Sequence, residues 1–422
     1  MFTTMTDFIN LDILATIGIL IAAAFLGSKI FQRLGIPQVV GFIVMGTFLG
    51  SSFLNIVPLE LTEELNFVSQ IALGLIGFDI GSHLRLQELK QLGRSLTIIL
   101  IFESIGTFIV VSAGIYAITQ SFHTALIFGA LASATAPAAT VDVLAEYDAK
   151  GPLTTSILVV VGLDDALALI LYSIAANLSE SALAGSATIS WASTALIPMV
   201  EIGGSVLLGF GLGFILAWIM RRMKSHHDAM AISIAFVFLG VGLSETFGFS
   251  LILTSMLMGS FLANQDPGYA RSIRYTIEQA GPVIYVLFFS LVGARLQINL
   301  LPSMGFLGIS YILLRSLGKI SGSWIGGKLG KAEPVIYKNL GFGLLTQGGV
   351  AIGLALASQK RFSGLDEAGL ALGTLILSVI TATTFVVEII GPIFVKFAIN
   401  RAGEIGMAKI EADPWASEGL PE

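Results

Sequence analysis

Thirteen runs of apolar residues follow one another between Leu11 and Ile399, each about 20 residues long and able to cross the hydrocarbon core of a bilayer. They cover roughly residues 11–32, 36–56, 65–82, 95–118, 122–145, 152–177, 191–220, 229–246, 249–264, 279–295, 301–327, 335–358 and 368–399. In lipid a backbone must satisfy its own polar groups, so runs of this kind fold as helices. Only 12% of the 422 residues are charged, against roughly a quarter in soluble domains, and the mean hydropathy is +0.88. These observations exclude a soluble enzyme and predict an all-α polytopic membrane protein of about thirteen spans. The first run lacks a preceding basic stretch and a following small-residue cleavage site, so it reads as a span and not a signal peptide.

The basic residues order the spans. Lys29, Arg33, Arg85, Lys90, Arg94, Lys150, Arg221, Arg222, Lys224, Arg271, Arg274, Lys328, Lys331, Lys338, Lys396, Arg401 and Lys409 fall in loops or tails on one side. Only Arg295, Lys360 and Arg361 fall on the other, and Arg315 and Lys319 lie inside a span. Positive loops face the cytoplasm, so the N-terminus is expected outside and the C-terminus inside.

The chain also repeats itself. Val39 to Gly50 matches Ile252 to Ala263, and Ile80-Gly-Ser-His-Leu84 matches Val292-Gly-Ala-Arg-Leu296. Both matches shift by seven spans, so the copies cross the membrane in opposite directions, the inverted repeat of secondary transporters. The repeat pairs span 5 with span 12, and each carries an interruption. Span 5 reads Ser133-Ala-Thr135-Ala-Pro137-Ala-Ala-Thr140; span 12 reads Leu344-Leu-Thr346-Gln347-Gly348-Gly349. Proline removes a backbone donor and clashes with the preceding turn, and paired glycines weaken a helix. Paired interruptions in corresponding spans point to a transport site where discontinuous helices cross.

Asp164 and Asp165 stand side by side in span 6, each about twelve residues from its ends and so roughly 18 Å deep. An acid at that depth costs about 2.5–3.5 kcal/mol on insertion scales and marks a functional site. The pair suggests protons and a cation competing for the same oxygens, with Asp165 a candidate Na⁺ ligand; a buried structural ion pair is the competing reading. Neighbours on a helix point about 100° apart, so one aspartate faces a cavity and the other a basic partner. Lys319 and Arg315, one turn apart in span 11, are both candidates for that partner. Glu103 and Glu388 are possible relay groups, Glu201 lies inside its span, and Thr135, Thr140 and Gln347 offer neutral oxygens suited to a hard cation. The absence of cysteine removes disulfide and thiolate chemistry, and His83, His123, His226 and His227 sit near span ends, where a transition-metal site is not expected.

In their order, Leu34-Gly-Ile-Pro-Gln-Val-Val-Gly, Gly77-Phe-Asp-Ile, Thr135-Ala-Pro, Gly162-Leu-Asp-Asp, Gly242-Leu-Ser-Glu-Thr-Phe-Gly-Phe-Ser, Phe288-Phe-Ser-Leu-Val-Gly and Gly318-Lys-Ile-Ser-Gly resemble stretches of the monovalent cation:proton antiporters. The resemblance is to the subfamily of bacterial sodium/proton and potassium/proton exchangers, over about residues 11–399. It implies Na⁺(Li⁺)/H⁺ exchange by alternating access, electrogenic where aspartates are paired, with K⁺/H⁺ exchange as the alternative. By the resemblance Asp165 binds the ion and Asp164 pairs with Lys319, while Thr135, Pro137, Thr140, Thr346, Gln347 and Gly348 sit at the helix crossing.

The resemblance also implies a homodimer in the bacterial inner membrane. One transmembrane domain, residues 1–400, would comprise a core of about 65–177 and 279–399 and an interface part of about 11–56 and 191–264. Residues 401–422 would form a short cytoplasmic tail. Partners are monovalent cations, protons and lipids; no cofactor, enzyme activity or nucleic acid is expected. A sodium-coupled organic-anion symporter on a similar fold is disfavoured, because an aspartate pair would repel an anion.

Overall fold

The computed structural model describes residues 12–83, 86–183, 191–222, 226–265, 283–296, 301–362 and 367–408, and among these the chain is almost entirely helical. In chain order the helices are α1 (Ile13–Arg33), α2 (Gln38–Leu49), α3 (Leu59–Glu64), α4 (Asn66–His83), α5 (Leu86–Thr119), α6 (Phe122–Ser133), α7 (Pro137–Glu146) and α8 (Pro152–Leu183). They continue with α9 (Trp191–Met220), α10 (His226–Phe247), α11 (Leu251–Gln265) and α12 (Val283–Arg295). The last are α13 (Leu301–Leu329), α14 (Pro334–Gly343), α15 (Gly349–Phe362) and α16 (Glu367–Ala402). Among the described residues six segments meet both length and hydropathy for a membrane crossing, one of them the α6–α7 pair taken together, and four shorter helices are apolar. α13 is not one of the six; it carries Arg315, Lys319 and Lys328. Arg271, Arg274, Lys224, Lys409 and residues 279–282 of the expected tenth span lie outside the described residues, as does most of the expected tail.

Local chemistry sets the ends. Asp12 caps α1 by accepting from the Leu14 N–H at 2.8 Å. α2, α7 and α14 start at or beside Pro37, Pro137 and Pro334, whose fixed φ suits a first turn and whose missing N–H would be unused there.

α5 and α13 lie side by side over their length. Gly318, Gly322 and Gly326 of α13, with Gly330 just past its end, form a stripe at one-turn spacing, and each Cβ position is filled or bordered by α5: Thr107, Phe102 with Glu103, Phe102 with Ile99, and Ser95. Small residues at this spacing let two membrane helices approach backbone to backbone. The approach turns Glu103 of α5 onto the face of α13 that carries Lys319.

Two further glycine-packed pairs stand beside this bundle. On α2 and α12, Gly46 meets Ser290 and Gly293 meets Ile43; on α11 and α4, Gly259 meets Phe78 and Gly81 meets Met256. In the register of the two sequence matches Ile43 corresponds to Met256 and Phe78 to Ser290, so each contact in one pair has its counterpart in the other. α4 rests chiefly on α11 and α10 and α12 lies against α2, whereas α5, α6, α8, α13, α14 and α16 pack on one another. The span pattern located α4 and α12 but carried no information on which neighbours they meet.

Candidate functional site

The apolar helices α6 and α14 each stop midway. α6 ends at Ser133 and α7 resumes at Pro137; α14 ends at Gly343 and α15 resumes at Gly349. The two interruptions touch. The Ala136 N–H donates to the Thr346 carbonyl at 3.2 Å, the Thr346 hydroxyl donates to the Ala136 carbonyl at 3.0 Å, and the hydroxyls of Thr140 and Thr346 lie 2.8 Å apart. A Cβ on Gly348 would meet the side chains of Ala136 and Glu388, and Gly391 of α16 brings its backbone onto Thr346.

A helix that stops inside an apolar environment leaves carbonyls without donors, and an unpaired polar group there is costly. Three side chains satisfy them. Arg315 donates to the carbonyls of Leu345 at 2.7 Å and of Ala134 and Thr346 at 2.8 Å, so one guanidinium ties both interruptions together. Gln347 donates to the Leu131 carbonyl at 3.1 Å and to the Tyr311 hydroxyl at 2.7 Å. Lys319 donates to the Ser133 carbonyl and, at 2.9 Å, to the Thr135 hydroxyl. Positive charge at these C-terminal ends also opposes the helix dipole. Tyr311, Arg315 and Lys319 recur every four residues, on one face of α13.

Lys319 has a second role in the same place. Its ammonium lies 2.8 Å from Glu103 Oε2 and 3.2 Å from Asp164 Oδ2, with all three side chains fully buried. The other Glu103 oxygen accepts from the Ser104 hydroxyl at 2.9 Å. Lys319 is therefore the basic group at Asp164, and it does not extend to the membrane surface. Arg315, expected as a counter-charge, bonds carbonyls of the interruptions, and no ion pair to it occurs among the described residues. Glu103 sits in the ion pair. Thr135, Thr140 and Thr346 have their hydroxyls engaged within the crossing.

Asp165 differs from its neighbour. It is partly exposed, and its Oδ1 has no hydrogen-bond partner. Asp164 Oδ1 and Gln347 Oε1 are likewise buried and unpartnered. Buried polar atoms are paired in the great majority of cases, so each of these oxygens has an unused lone pair, and the two carboxyl groups can accept a proton or a small hard cation.

Sequence reading missed Tyr311, the Ser133 carbonyl and the cap on the interruptions. The four-residue recurrence 311-315-319 and the glycine stripe beneath it were the available signals.

Comparison with known proteins adds an independent line. A family profile described as "Sodium/hydrogen exchanger, transmembrane" matches residues 19–400. The chain is 23% identical to the high-affinity Na⁺/H⁺ antiporter NhaS3 of Synechocystis, over 91% of this chain and 90% of that protein. It is 24% identical to the Na⁺/H⁺-K⁺ antiporter GerN of Bacillus cereus, over 83% and 88% respectively. The fold is similar to that of the sodium proton antiporter MjNhaP1 of Methanocaldococcus jannaschii, with a TM-score of 0.75 at 19% identity over 98% of this chain and all of that one.

Proposed function

We propose a residue-level exchange mechanism for this chain, which belongs to the sodium/hydrogen exchanger family and is a multi-pass membrane transporter of the cation:proton exchange class. Asp165 is the ion-binding carboxylate, where Na⁺ or Li⁺ and H⁺ compete. The observation that carries the reading is the contrast within one doublet. Asp164 is fully buried and ion-paired to Lys319 at 3.2 Å, while Asp165 beside it is partly exposed and has no ion pair among the described residues.

A cation arriving at Asp165 finds a carboxylate and little competing protein charge, because Lys319 is shared between Asp164 and Glu103. Displacing the proton from Asp165 couples the two fluxes. A second proton carried by Asp164 as its bond to Lys319 loosens would make exchange electrogenic. Alternating access follows if the bundle of α5–α8 and α13–α16 moves against the frame formed by α1, α2, α4 and α9–α12. The frame would also supply a dimer face. The cytoplasmic C-terminus, external N-terminus and location in a bacterial inner membrane belong to the same reading, supported by the one-sided distribution of Lys and Arg.

The experiment is a dye assay in everted vesicles with a preformed ΔpH, to which Na⁺, Li⁺ or K⁺ is added between about pH 6 and 9. Wild-type protein should dissipate ΔpH with Na⁺ and Li⁺, and Asp165→Asn should remove the response at unchanged expression. No response to any of the three cations overturns the exchange reading; full activity in Asp165→Asn overturns the assignment. The K⁺ arm is included because the name of one relative, GerN, couples K⁺ to exchange.

A further inference from the structure

Glu388 lies in α16 with only 7% of its surface exposed, and its Oε2 has no hydrogen-bond partner. Unlike the buried acids Glu103, Asp164 and Glu404, it has no hydrogen bond or ion pair on either oxygen among the described residues. Glu103 holds Ser104 and Lys319, and Glu404 accepts three hydrogen bonds. A carboxyl kept for packing acquires donors, because leaving it bare is expensive. Glu388 has been left bare at one particular place: its Oε1 borders Gly348 in the second interruption, 3.1 Å from where a Cβ would stand.

One neighbouring hydroxyl and one backbone carbonyl add oxygens nearby. Thr384, one turn earlier, is fully buried and its hydroxyl also lacks a partner, although a helical threonine ordinarily bonds the carbonyl four residues back. Pro392, one turn later, has no N–H to offer the Glu388 backbone carbonyl. The contact of Gly391 with Thr346 holds this stretch of α16 against the interruption. A carboxylate, a hydroxyl and a freed carbonyl within two turns are the ligand types a dehydrated hard cation takes.

We propose that Thr384 and Glu388 form a second oxygen-ligand station for the transported cation, facing the interruption between α14 and α15 and separate from the aspartate pair. This rests on the exchange reading, with the cation passing both stations. The test separates the two. In purified full-length protein, Na⁺ and Li⁺ should raise the melting temperature relative to choline at equal ionic strength, because a ligand that binds only the folded state stabilises it. Asp165→Asn should keep part of that shift, and adding Glu388→Gln should remove it. In vesicles, Glu388→Gln should raise the apparent KM for Na⁺ about tenfold, the loss expected for one charge-assisted contact, with little change in maximal rate. Glu388→Asp should recover part of it. Thr384→Val, which keeps the helix and the volume, should move KM in the same direction and covers the case of a Glu388 variant that misfolds. Unchanged KM in both Glu388→Gln and Thr384→Val, or a cation shift in Asp165→Asn that survives Glu388→Gln, overturns the second station while leaving exchange at Asp165 intact. A wild-type protein without exchange overturns the shared premise.

Discussion

Lys319 holds Glu103, Asp164, Thr135 and the Ser133 carbonyl at once, so its removal strands two acids and a helix end in an apolar interior. Breaking a buried ion pair from one side costs about 3–5 kcal/mol, because the partner's charge stays buried and uncompensated. Lys319→Ala should therefore lower the melting temperature in detergent by many degrees as well as impair exchange. Glu103→Gln combined with Lys319→Met removes charge of both signs and should recover part of the lost stability. Equal melting of wild type and Lys319→Ala would show that the network carries no net energy. Arg315 is the sharper case for geometry. Its fork reaches carbonyls on both interruptions, and a lysine, as a point charge with no fixed fork, cannot. Arg315→Lys should then destabilise the protein although the charge is preserved, as a melting curve would register.

Among the elements, the pairing of α5 with α13 decides where these charges meet. A side chain at Gly322 would drive into the Phe102 carbonyl and the Glu103 backbone, and overpacking of a close helix contact costs about 1–3 kcal/mol. Gly322→Leu should lower the melting temperature and abolish exchange by parting Glu103 from Lys319, whereas Gly242→Ala, which meets nothing within 4 Å, should match wild type in both. The interruptions were legible in the sequence because proline and paired glycines are local signals: Pro137 and Gly348-Gly349 break a helix wherever they stand. What satisfies the exposed carbonyls was not legible, since the donors come from Arg315, Lys319 and Gln347 through tertiary contacts about 30 to more than 180 residues apart in sequence. Hydrophobic pattern likewise located α4 and α12 without telling which helices they touch, because a helix apolar on all sides gives no facing direction. Asp164 and Asp165 stood out through the cost of burying charge, yet their unequal surroundings are a matter of packing.

At the scale of the whole chain, equivalent glycine contacts recur in α2/α12 and α4/α11, and one strut has no counterpart in the matched segments. After α16 the chain turns through Gly403 and Gly406, both at positive φ, and lays Glu404 against the start of α8. The buried carboxylate accepts the Leu153 and Thr154 amides at 2.7 Å and the Thr154 hydroxyl at 2.6 Å, so a residue from the far end of the sequence caps the helix that carries the aspartate pair. Neighbouring backbone bonds, Gly406 to Tyr147 at 2.9 Å and Ala408 to Asp148 at 3.0 Å, fasten the same segment to the turn after α7. The negative charge also suits the positive end of α8. Glu404→Ala should cost about 1–2 kcal/mol, the value of a strong N-cap, and should speed amide hydrogen exchange at Leu153 and Thr154 well before it affects α8 near Asp164. Glu404→Gln, which keeps an acceptor but loses the charge, should fall between the two. If exchange of these amides is unchanged in Glu404→Ala, the strut does not hold α8, and the start of that helix must be secured by its apolar neighbours alone.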